Sequence, residues 1–217
     1  MATLSQSQLK KVKKLYYEKR YSMKAVGIAC GVSLDCVAYF MRKNKLVRRT
    51  LVEEQKMRFE NKIPSFTFKK KDKDTKELTA LGAMLYWGEG YKGDELHPAK
   101  QVDFANSDPT MIMLFLKFLS NIFELDKSKF RILLYCYSDQ NIEKLIKFWS
   151  KCTKINKTLF TKPYVRKDFR IEGRKMKYGL IHIRYYDKKL LLEIKKMIDS
   201  YKTKYLRQSN SGNFTTL

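Results

Sequence analysis

The residues best equipped for chemistry lie at the end of one apolar run, Leu81-Gly82-Ala83-Met84-Leu85-Tyr86-Trp87-Gly88-Glu89-Gly90, where a single carboxylate is clasped between two glycines. A helix of this composition can bury most of its length and still hold the Glu89 carboxylate at its C-terminal tip. The glycines let the backbone turn sharply and let a ligand or another backbone come close. Carboxylate oxygens suit hard divalent cations, and a cation held beside a phosphate can stabilise both the attacking and the leaving oxygen of a hydrolysis. One acid does not complete such a centre, so the elements that would position Glu89, and a second copy of it, become the question.

Charge narrows the partner. The 217 residues carry 46 Lys plus Arg against 22 Asp plus Glu, a formal net charge of +24. A field of that sign and size favours nucleic acid. No apolar run is long enough to span a membrane and the N-terminus lacks the apolar core of a signal peptide, so no membrane partner is expected. Cys30, Cys36, Cys136 and Cys152 show no CxxC spacing and the only histidines are His97 and His182, which argues against a structural zinc site and for a reduced, cytoplasmic protein, nucleoid-associated in a bacterium. The 44% hydrophobic content is that of a folded chain, and its length accommodates two domains.

The first domain is expected over residues 1–50 and is all-α. Leu9, Val12, Leu15 and Tyr16 recur at helical spacing among lysines, giving an amphipathic helix over 8–20. Ser22 offers an N-cap for a second helix, Met23 to Cys30; Gly31 sits where the turn favours a left-handed backbone, and Ser33 opens a third helix through about Lys43. Val26, Cys30, Val32, Val37 and Phe40 would form the small core, with Gly27 at a close crossing. This spacing resembles helix-turn-helix modules across Ser22 to Lys43. The outward face of the third helix would then carry Ser33, Leu34, Asp35, Ala38, Tyr39, Arg42 and Lys43 toward bases, with Lys45, Arg48 and Arg49 as phosphate anchors.

Residues 51–77 are expected to form a charged linker, with one charged helix over Thr50 to Lys62 and a boundary at the Pro64 and Lys69–Lys76 stretch. Beyond it, 78–202 alternates helix and strand patterns without regular βαβ units or a glycine-rich phosphate loop, which predicts an α+β domain with helices on one face of an antiparallel sheet. Strands are expected over Lys100–Ala105, Phe130–Tyr137 and Lys175–Tyr185. Helices are expected from the Asp108-Pro109 start to Phe123, from an Asp139 cap over Ile142–Cys152, and over Asp187–Tyr201. Phe130, Ile132, Leu134 and Cys136 alternate with a basic and aromatic face, leaving one sheet surface for a partner. Lys129, Arg131, Tyr135 and Arg184 would line it, with Arg166, Lys167, Arg170, Arg174 and Lys175 as loop cations. Residues 203–217 form a polar tail expected to lack order.

The run ending at Glu89 resembles the signature helix of LAGLIDADG homing endonucleases, and the order of elements over 78–202 is similar. That resemblance implies a saddle of strands lying in the major groove of double-stranded DNA beneath a helical layer. It implies Glu89 as the metal-binding acid, Asn106 as the polar residue orienting water or metal, and a basic residue, Arg184 or Lys162, stabilising the transition state. Because the chain holds one such helix, it implies a homodimer through residues 79–90, with two Glu89 carboxylates and Mg2+ at the two-fold axis and no small-molecule substrate. Met84 stands where the family places a small residue, the small residues here being Gly82, Ala83 and Gly88. Related domains fused to helix-turn-helix modules also serve as transcription regulators that bind without cutting.

Overall fold

The computed structural model describes residues 3–70, 75–167 and 176–209, with side chains through residue 206. The chain divides into two compact units, Met1–Ile63 and Pro64–Leu217.

Unit one is all helix. A turn at Gln6–Gln8 leads into α1 (Leu9–Lys13), which widens into a π turn over Lys14–Glu18; α2 (Met23–Cys30), α3 (Leu34–Lys43) and α4 (Leu51–Asn61) follow. The Ser22 hydroxyl accepts from the Ala25 amide and the Ser33 hydroxyl from the Cys36 amide, both at 3.2 Å, so each serine satisfies an amide that its helix cannot. Gly31 takes the left-handed conformation, φ 70°, that ends α2. At Gly27 a Cβ would stand 2.8 Å from the Val32 carbonyl oxygen, which is why the turn needs no side chain there. Val12, Leu15, Tyr16, Val26, Val37, Phe40 and Met41 form the core, with Cys30 and Val32 packed at its margin. Thr50 and Glu53 cap α4 reciprocally, the Thr50 amide donating to Glu53 Oε2 at 2.7 Å and the Glu53 amide to Thr50 Oγ1 at 3.2 Å.

Unit two is α+β, as expected from its mixed element order. Its elements are β1 (Phe66–Phe68), α5 (Thr75–Glu89), β2 (Val102–Asn106), α6 (Pro109–Ile122), β3 (Phe123–Leu125), β4 (Phe130–Tyr137), α7 (Ile142–Thr153), β5 (Tyr164–Arg166), β6 (Leu180–Tyr185) and α8 (Lys188–Ser209). The main sheet runs β2-β6-β4-β5, and β1 pairs with β3 in a separate ribbon. Val102, Phe104, Phe130, Ile132, Leu134, Cys136, Ile181, Ile183 and Tyr185 point to one side of the main sheet. There they are buried against Ala83 and Tyr86 of α5, Ile112, Phe115, Phe118 and Leu119 of α6, Leu145 and Trp149 of α7, and Leu190, Leu191, Ile194 and Ile198 of α8. The residues between them in each strand face away from the helices.

Several sequence expectations require correction. The sheet is not purely antiparallel: β5 pairs with β4 in parallel, Tyr135 opposite Tyr164. The 51–77 stretch holds α4, whose Met57 is buried in unit one, and β1, which belongs to unit two. Ser65 is anchored there by Asp187, whose Oδ2 accepts from the Ser65 amide at 2.7 Å and its hydroxyl at 2.8 Å. The cap of α7 is Asn141, accepting from the Lys144 amide at 2.9 Å, rather than Asp139. The strand expected from Lys175 begins only at Leu180, because Gly179 turns the chain at φ 64° and Tyr178 stacks on Phe148 of α7 with ring centroids 3.9 Å apart. The final helix continues to Ser209, past the start of the expected tail. Among the described residues no single helix is long and apolar enough to cross a membrane.

Candidate nucleic-acid interface

Two surfaces gather the expected binding residues, one on each unit. On unit one, α2 and α3 cross at 102°, within the roughly 90–120° of helix-turn-helix pairs. Burial of Val37, Phe40 and Met41 fixes the roll of α3. The opposite side is therefore solvent-facing: Ser33, Leu34, Asp35, Tyr39, Arg42 and Lys43 are all exposed, and Ala38 is half-buried. Lys45 and Arg48 beyond the helix are exposed too.

Arg49 behaves differently from its expected role as a phosphate anchor. Its guanidinium lies 3.7 Å over the Tyr16 ring, donates to the Tyr16 carbonyl at 2.8 Å and also donates to the Tyr21 carbonyl, while its backbone amide donates to the Tyr16 hydroxyl at 2.8 Å. Arg49 therefore ties the chain after α3 to the end of the first helix, inside the unit.

On unit two the sheet face away from the helices is partly open. Its register brings Asp103 beside Arg184 and Arg184 beside Arg131, and then Ala105 beside His182 and His182 beside Leu133. Tyr135, Tyr137, Tyr164 and Arg166 continue the face toward β5. On the edge strand β2 Asp103 is buried, accepting from Arg184 Nε through Oδ2 and paired with His182 Nδ1 through Oδ1, both at 2.8 Å. An ionised carboxylate only accepts, so the Nδ1 atom carries the proton of this bond. Sequence reading missed Asp103 as an organiser, although the signal was present: Val102-Asp103-Phe104 places one acid inside a strand of otherwise apolar, buried residues.

The other nominated residues divide. Arg131 folds back on its own strand entry, donating to the Ser128 carbonyl at 2.8 Å and the Phe130 carbonyl at 2.6 Å. Lys129 is exposed but sits in the turn before β4 rather than on the sheet. Arg166, Lys167 and Lys162 are exposed at the β5 edge. Arg170, Arg174 and Lys175 lie outside the described residues.

Glu89 ends α5 in an exposed position, one residue before the bridge that joins Gly90 to Phe104 of β2. Gly90 has a local cause, since a Cβ there would meet the Tyr86 ring and carbonyl at 2.5 Å. Asn106, expected as an orienting group, has one side-chain atom engaged in its own turn. It follows Phe104 on the helix-facing alternation of β2, and its Oδ1 accepts from the Asp108 amide at 2.8 Å in the turn that starts α6. Arg184, the expected transition-state cation, is held through Nε by Asp103. One Glu89 carboxylate offers too few oxygens for a hard divalent ion, and the described residues include no cluster of three or more His, Cys, Asp or Glu able to hold a metal.

α5 itself shows a clear asymmetry. Gly82 is buried, and a Cβ on it would fall 2.0 Å from Phe118 Cγ, so this glycine permits the α5–α6 crossing. A Cβ on Gly88 would meet nothing within 4 Å among the described residues. Leu81, Met84 and Trp87 lie with Gly88 along one exposed stripe of the helix. Comparison with protein-family models, with curated proteins and with solved structures returned no match to this chain.

Proposed function

We propose that this chain is a site-specific double-stranded DNA-binding protein. The observation that carries the reading is unit one's helix pair: two serine-capped helices joined through a left-handed glycine and crossed at 102°, with α3 presenting Tyr39, Arg42 and Lys43 to solvent. A helix held this way can enter the major groove, with residues near its N-terminal end at base edges and flanking cations on phosphates. The open face of unit two, edged by Arg166 and Lys167, supports a second contact. The test is selection of bound sequences from a random duplex library, followed by affinity measurement on the selected site. Replacing Tyr39 and Arg42 with Ala should erase sequence preference while leaving weaker, salt-sensitive binding. Unchanged preference would reject α3 as the reader.

A metal-dependent, homodimeric endonuclease is the second reading, favoured by the end of α5. Gly88 has no packing cause among the described residues, its stripe is apolar and exposed, and Glu89 follows it, as a helix would be built to meet a second copy and bring two acids together. Two Glu89 carboxylates with DNA phosphate oxygens form a donor set suited to Mg2+. Such an ion, when bound, stabilises charge on the attacking and leaving oxygens of a phosphodiester. The engagement of Asn106 and Arg184 within the fold favours instead a regulator that binds without cutting. Incubation of the selected duplex with Mg2+, using wild type and Glu89→Gln, separates the two: cuts lost in the variant support the nuclease, and equal binding without cuts supports the regulator.

A further inference from the structure

The open sheet face bears a feature that groove binding to a paired duplex leaves unused. Tyr164 on β5, Tyr135 on β4 and His182 on β6 form a strip of three rings, with centroids 4.9 Å apart between the tyrosines and 5.0 Å between Tyr135 and His182. His182 is fixed in orientation by Asp103, and Tyr164 at the end of the strip is 56% exposed. Beside the rings lies a hollow of about 270 Å³ lined by Tyr135, Tyr137, Tyr164, Arg166, Leu180 and His182. That volume is below the roughly 300–1,000 Å³ of sites for drug-sized molecules and suits one ring system. The exposed cations Arg166 and Lys167 lie just beyond Tyr164 in the chain, where the phosphate attached to such a ring could be met.

A paired duplex keeps its base faces stacked on one another, so an aromatic strip has nothing to stack on there. An unpaired base has a free π-face, and aromatic side chains on a sheet, next to a basic edge, take such bases with little regard to sequence. We propose that the Tyr164–Tyr135–His182 strip is a stacking site for an unpaired DNA base. The protein would thus engage duplexes that are locally opened, bulged or ended at this face. The inference rests on the DNA-binding reading and adds a site that reading does not contain.

The test uses the full chain and two fluorescent duplexes of one sequence, one fully paired and one with a single unpaired 2-aminopurine. Wild type should bind the bulged duplex roughly tenfold more tightly, with the fluorescence quenched as the base stacks. Tyr164→Ala, exposed and on an edge strand, should lose both the preference and the quench while keeping affinity for the paired duplex within about twofold of wild type. Tyr164→Phe, which keeps the ring, should retain both. Equal affinity for the two probes without quenching overturns the stacking site and leaves duplex binding intact. Binding of neither probe overturns both readings.

Discussion

Two glycines on α5, Gly82 and Gly88, should respond to the same added methyl group with opposite signs. In Gly82→Ala the new Cβ would lie 2.0–2.5 Å from Phe118 Cγ, Cδ2 and Cβ. Phe118 is fully buried and packs against Phe115 and Phe123 at centroid distances of 5.8 and 6.0 Å, so its ring has no open space to enter. Overpacking of this kind costs about 1–3 kcal/mol. In Gly88→Ala the Cβ meets nothing within 4 Å among the described residues. The substitution should then gain about 0.5–1 kcal/mol from helix propensity and a less flexible unfolded chain, less whatever is lost to fraying at the helix end. For a unit of this size each kcal/mol moves the melting temperature by about 2–4 °C. If α5 crosses a second copy at Gly88, the methyl group holds the helices apart and the sign reverses. Association should weaken about tenfold, equivalent to about 1.4 kcal/mol, and the rise of melting temperature with protein concentration should shrink relative to wild type over the same range. Thermal melts at several concentrations, paired with sedimentation equilibrium, distinguish the cases. A Gly88→Ala protein that is more stable and associates like wild type would refute α5 as a dimer surface; a Gly82→Ala protein of unchanged stability would refute the packing argument itself.

Asp103→Asn should destabilise unit two by about 3 kcal/mol, because it weakens the hold on a mostly covered Arg184 and leaves the new side-chain amide competing with the His182 N–H; denaturant unfolding measures it. Burial pushes the Cys136 and Cys152 thiols above their ordinary pKa; with Cys136 enclosed as well, native-state titration with a thiol reagent near pH 8 should label Cys30 and Cys36 first and Cys136 only on unfolding. Arg49→Met should cost unit one about 1–3 kcal/mol through lost carbonyl bonds, yet below its melting temperature leave the slope of log affinity against log salt unchanged, whereas Arg48→Ala should reduce that slope by about 1. Equal changes in slope for both variants would show that Arg49 contacts phosphate after all.

Unit one was legible because its signals are local. A serine cap, a left-handed glycine and a four-residue apolar rhythm each act within one turn of the chain, so Ser22, Gly31, Ser33 and the Val26–Phe40 core could be assigned before any tertiary contact was known. The same holds for Asp108-Pro109 at the start of α6 and for the strict alternation of β4. What failed depended on distant partners. Nothing near Ser65 announces that Asp187, 122 residues later, fixes its amide, and so β1 and its ribbon with β3 were read as linker. The short parallel strand β5 has no periodicity of its own; it exists because β4 offers it an edge.

The arginines expose the deeper reason why a site is harder to read than a fold. Composition counts every guanidinium as surface charge, yet the same planar fork that grips a phosphate also grips backbone carbonyls and carboxylates. Arg49, Arg131 and Arg184 are all drawn inward in this way, each for a partner that the sequence does not place beside it: the Tyr16 and Tyr21 carbonyls, the turn before β4, and Asp103. Among the described arginines that stay exposed, Arg20 and Arg58 pair with Glu60 and Glu54, Arg42 and Arg48 lie with Lys43 on and just beyond α3, and Arg166 lies with Lys167 at the β5 edge. The net charge of +24 therefore overstates the number of guanidinium forks left for a partner, and at these two surfaces an exposed tyrosine, Tyr39 or Tyr164, stands with the cations. Phosphate attraction alone would need only the cations. An exposed aromatic ring beside such cations is what a surface built to contact bases as well as backbone would carry.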